Sequence, residues 1–113
     1  MDESAFVAVA DATLHRIGLA LDAAVETSGA DLDWSLNDGV LTIECADASR
    51  IIVNRHVPNR EIWVAAKSGG FHFRADDGHW RDTRGSDELG ALLARLLKTQ
   101  GGIVVRMPNL PAS

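Results

Sequence analysis

The sequence predicts an α+β fold: a two-layer α/β sandwich with two helices packed on one face of a 5–6-stranded antiparallel sheet. Three observations predict it. Apolar residues recur at helical spacing near both ends of the chain. Short segments that alternate polar and apolar fill the middle. Asp-Gly and Gly-Gly pairs separate those segments at hairpin distances. Helix, strands, helix is then the order, with one apolar face per element. Two helices on one face of a sheet bury all of them.

Residues 4–27 read as the first helix. Phe6, Ala10, Leu14, Ile17, Leu21 and Ala24 form one stripe at steps of three and four. Asp2, Glu3 and Ser4 suit its start, where side-chain oxygens accept from free N–H groups, and Ser28-Gly29 suits its end. Asp31 to Leu36 alternates strictly, which sends Leu32, Trp34 and Leu36 inward. Asn37-Asp38-Gly39 turns into Val40–Cys45, with Leu41, Ile43 and Cys45 inward. Arg50–Asn54 is a third strand, Pro58-Asn59 a break and Glu61–Ala65 a fourth strand. Gly69-Gly70 leads to Phe71–Arg74, and Asp77-Gly78 to a short sixth strand, His79–Arg81. Ser86 is the expected N-cap of a second helix. Asp87 and Glu88 fall in its first turn, and Leu89, Leu92, Leu93, Leu96 and Leu97 form its buried stripe. Gly101-Gly102 ends it, and Ile103-Val104-Val105 packs back on the body. Residues 106–113, with Pro108 and Pro111, read as a loose tail of a single domain spanning 1–113.

Charge is unevenly placed. Residues 1–49 hold ten Asp/Glu against one basic residue, Arg16, whereas residues 50–113 hold six acidic and ten basic residues. An acidic half repels nucleic acid, whose binding depends on neutralised phosphates, and attracts cations and basic protein surfaces. No uninterrupted apolar run approaches the roughly 20 residues of a membrane span, so no membrane partner is expected. One cysteine permits no intrachain disulfide and no Cys-rich metal site, which suits a reducing compartment. The start Met1-Asp2-Glu3-Ser4 resembles neither a signal nor a transit peptide, so a monomeric cytoplasmic protein of a bacterium is the expectation.

Motifs for an enzyme are absent. There is no G-x-S-x-G elbow and no phosphate-binding glycine loop, and His15, His56, His72 and His79 lack zinc-site spacing. Cys45 has the inward parity of an inert thiol. The carboxylates are more informative. Asp11, His15, Asp22 and Glu26 lie on one side of the first helix, and Asp31 and Asp33 point outward from the next strand. Together they would form an acidic ridge. Its oxygens suit hard cations, including iron, and His15 adds an imidazole, but nothing encloses an ion. The alternative is a solvated face. On the fourth strand, Ile62 and Val64 inward put Trp63 outward, beside Asn54. An outward Trp is either used by a partner or shielded by long neighbours such as Arg55 or Arg74.

Three runs then carry a resemblance. They are Asp38-Gly39-Val40-Leu41-Thr42-Ile43, Ile52 through Ala65 with its N-R-x-x-P-x-x-x-I-W core, and Ser68 to Phe73 followed by Trp80. On these residues the chain resembles the frataxin family over nearly its full length. The resemblance implies the helix-on-sheet sandwich and a role in iron–sulfur cluster assembly. It implies weak binding of ferrous and ferric iron at Asp11, Asp22, Glu26, Asp31 and Asp33. It also implies association with a cysteine desulfurase and its scaffold protein, with Asn54, His56 and Trp63 on the exposed sheet face. Members of this kind act as iron-dependent regulators, and an iron-donor or ferroxidase-like role is the alternative. Two departures stand out: His56 and Glu61 replace the usual Gln, and Ile17-Gly18-Leu19-Ala20 interrupts the ridge.

Overall fold

The computed structural model describes all 113 residues. The elements are α1 (Glu3–Ser28), β1 (Asp33–Asn37), β2 (Val40–Glu44), β3 (Arg50–His56), β4 (Glu61–Ala66), β5 (Gly69–Asp76), β6 (His79–Asp82) and α2 (Leu89–Gly101). Six antiparallel strands form one sheet in chain order. Helix α1 packs over β1, β2 and β3, and α2 packs over β6.

Local chemistry sets the boundaries. The Asp2 carboxylate accepts from the Ala5 N–H at 2.8 Å and starts α1. Gly29, at φ 68°, ends it in the left-handed conformation that costs glycine little. Asp38 and Gly39 adopt φ 47° and 76°, the positive pair that a two-residue turn between twisted strands requires. Asp77 and Gly78 repeat the device. Between sheet and helices lie 24 buried apolar residues. Trp80 anchors one end of this core. It meets Phe6 edge-on at 6.1 Å and donates its indole N–H to Thr13 Oγ1 at 3.1 Å, so its own buried donor is matched.

Two expectations need correction. Ser86 does not cap α2: the helix starts at Leu89, and its N-cap, Glu88, makes no side-chain bond. The preceding residues are engaged at the sheet edge, where Asp82 N–H donates to Asp87 C=O at 2.8 Å and Arg81 pairs with Glu88. Nor is the tail loose. Leu110 and Ala112 are each 2% exposed, Pro111 bridges His79, and Ala112 N–H donates to Gly78 C=O at 2.9 Å. Met107 and Leu110 find a seat beside Gly90, and the prolines have little backbone freedom to lose on docking. Helix α1 has a mean hydropathy of 1.3, and charged residues interrupt its apolar ones. Within this fold its apolar stripe lies against the sheet, and the other side carries the ridge.

Candidate functional site: an acidic ridge and a clasped tryptophan

The ridge residues share a region of the surface but differ in state. His15, Asp22, Glu26, Asp31 and Asp33 are exposed, and Asp11 is half-buried. Arg55 explains Asp11. By strand parity Arg55 faces the helix layer, and its guanidinium bonds Asp11 and, at 3.2 Å, Asp38. It lies across Gly39, where a Cβ would stand 2.6 Å from the guanidinium carbon. Asp11 is therefore a neutralised partner of Arg55 and not an open ligand.

Asp22 is engaged as well, since it accepts the Trp34 indole N–H at 2.7 Å. That indole rests on Gly18, where a Cβ would come within 2.7 Å of the ring. The interruption of the ridge at Gly18-Leu19 is thus the seat of Trp34. His15, Glu26, Asp31 and Asp33 take part in no side-chain hydrogen bond or ion pair. In register, Asp33 stands opposite Glu44, whose one cation is Arg50 at 3.6 Å. Like charges facing across a strand pair are unfavourable unless a cation intervenes. Glu44 is a residue the sequence reading missed. Its signal was outward parity plus the two-residue turn, which fixes Asp33 opposite Glu44. No three His, Cys, Asp or Glu side chains stand close enough to share a metal ion, so the ridge does not form an enclosed site.

The outer sheet face carries the second feature. Trp63 points outward between fully buried Ile62 and nearly buried Val64. Neither Arg55 nor Arg74 covers it. Two histidines do: His56 stacks on one side with ring centroids 3.6 Å apart, and His72 on the other at 4.2 Å, each tilted by 8°. The Trp63 indole donates to Glu61 Oε1 at 2.9 Å, and Arg74 donates to Glu61 Oε2. Glu61 is 3% exposed although its strand parity is outward. Burial pushes its carboxyl up. The bonds from Trp63 and Arg74 and the Arg74 charge outweigh that and hold it below the usual glutamate value. Asn54, opposite Trp63, is half-buried and donates to the Arg55 carbonyl at 3.2 Å. Sequence marked Glu61 only as a departure from the family pattern and gave His72 no part in the site. Glu61-x-Trp63 on one strand face was legible, whereas His72 needed the β4–β5 register.

Among known proteins, the family model of the frataxin-like domain matches residues 1–103. The chain belongs to the frataxin family. Among related frataxins, the iron-sulfur cluster assembly protein CyaY of Dechloromonas aromatica is 54% identical over 109 residues, covering 94% of this chain and 100% of the relative. CyaY of Cupriavidus metallidurans is 41% identical and covers 95% and 96%. Frataxin from Psychromonas ingrahamii superposes with a TM-score of 0.80 at 29% identity, over 96% of this chain and 100% of that one. The trimeric frataxin of Saccharomyces cerevisiae, complexed with ferrous iron, superposes at 0.73 with 26% identity, over 83% and 86%. The frataxin sandwich of two helices on an antiparallel sheet is thus shared by this chain.

Proposed function

We propose that this frataxin is an iron-binding regulator of iron–sulfur cluster assembly in the bacterial cytoplasm. It docks its acidic ridge on the cysteine desulfurase and scaffold complex. One observation carries the reading: Glu26, Asp31 and Asp33 are exposed without a cation of their own, at the open edge of the sheet. A basic partner surface would supply the missing charge, speed encounter and make association salt-sensitive. The relatives' name as assembly proteins supports the setting, and the ferrous complex of the yeast frataxin supports iron. Without a converging ligand set, iron is held weakly by exposed carboxylates, the pair Asp33 and Glu44 foremost. This favours a docking protein over an enzyme. Trp63, His56 and Asn54 present a second surface, to the scaffold.

The test is charge reversal at residues that pack nothing. Glu26→Lys with Asp33→Lys should weaken desulfurase binding by about tenfold or more at low salt, with the melting temperature unchanged. Asp22 is unsuited to this test because its loss would also unseat Trp34. Unchanged affinity in the double variant would sink the docking proposal.

A further inference from the structure

A groove lies between α1 and the segment that follows α2. Its larger part, about 730 Å³, has Ala20, Ala23 and Ala24 on one wall and Ile103, Val104 and Arg106 on the other. It continues into a space of about 550 Å³ between Arg16, Leu19 and Arg106. Three features separate this groove from ordinary surface. Leu19 and Val104, 53% and 72% exposed, are two of the four large apolar side chains that the fold leaves in solvent, and one stands on each wall. Arg16, the sole basic residue of the first 49, meets Arg106 across the groove. Neither arginine has an ion pair or side-chain bond, whereas Arg50, Arg55, Arg74, Arg81 and Arg95 all do. A wall of alanines allows close approach, apolar rims reward it, and two free guanidiniums call for carboxylates.

We propose that the groove binds an amphipathic helix of a partner protein, apolar along one side and carrying carboxylates that meet Arg16 and Arg106. This site goes beyond the ridge reading, because its charge preference is the reverse. A helix laid in a groove presents anchors at i, i+3, i+4 and i+7. The two spaces share Ala20 and Arg106 and so run on into one another beside α1, which suits a segment better than an enclosed small molecule.

The experiment titrates the isotope-labelled full chain with two synthetic helices of about 14 residues, one built of Leu and Glu, the other of Leu and Lys. The Leu/Glu helix should shift the amides of Ala20, Ala23, Ala24, Ile103 and Val104. Arg16→Glu with Arg106→Glu should weaken that binding by about tenfold without lowering the melting temperature. Val104→Glu should do the same on its own. The Leu/Lys helix should shift ridge amides instead, so a failed ridge reading and a failed groove reading give different patterns. Absence of groove shifts with the Leu/Glu helix, or equal binding by the double variant, overturns the proposal. Groove shifts with dodecanoate but not with the Leu/Glu helix also overturn it, in favour of a lipid carboxylate.

Discussion

At the scale of residues, Trp63 and Glu61 form one unit. Parity alone made Trp63 an outward residue. The histidine clasp and the bond to Glu61 tie it to its neighbours. Trp63→Ala leaves a buried carboxylate short of a donor, which costs about 1–3 kcal/mol. Trp63→Phe keeps a ring between His56 and His72 and isolates the donor. Urea titration of the two variants would separate stack from hydrogen bond, and an unmoved midpoint in Trp63→Ala would refute both. Glu61 also sets a pH dependence. Its folded-state pKa lies below the unfolded value. Its stabilisation is therefore complete above about pH 4.3 and is lost as pH falls through the lower folded value. Glu61→Gln should flatten the acid limb of stability, measured as urea midpoints between pH 7 and pH 3. Outwardness was legible because the strand period is two. The clasp was not, because His56 and His72 reach Trp63 from two other strands whose registers no single segment encodes.

At the scale of elements, the helix starts make a contrast. Asp2 accepts from Ala5 N–H, so Asp2→Ala should cost about 1 kcal/mol. Ser86 bonds nothing at the start of α2, so Ser86→Ala should stay within about 0.5 kcal/mol. Thermal melts of both would check the assignment. The Ser-Asp-Glu run carries a helix-start signal, but backbone pairing at the sheet edge claims residues 87 and 88 first. Local propensity lost to a tertiary contact there. In α1 the reverse holds, and cap, stripe and stop were all readable because they lie within one element. Gly18 is the exception inside it. Gly18→Ala would gain helix propensity yet collide with the Trp34 ring. The expected net cost is about 1 kcal/mol, with Trp34 fluorescence shifted towards that of an exposed indole.

At the scale of the molecule, the two edges of the sheet are treated differently. The β6 edge is covered by residues 87–88 and by Pro111. The β1 edge is open and acidic, and like charge there opposes pairing with a second copy. Alternation and turns made the six strands legible, but not the tail, whose two prolines obscured the apolar Leu110 and Ala112. Truncation after Met107 exposes the seat of Leu110 and should cost about 2–3 kcal/mol. The order of the sheet has a kinetic corollary. Each strand pairs with its neighbour in sequence across two to five residues, so loop closure is entropically cheap and the meander can zip from either end. The bridge from Pro111 to His79 encloses all of α2, a longer closure than any hairpin, so its docking is expected to come late. Truncated and full chains should then refold at nearly equal rates, with the unfolding limb of the chevron raised in the truncated one. The last residues would govern how long the molecule stays folded, and hardly at all how fast it folds.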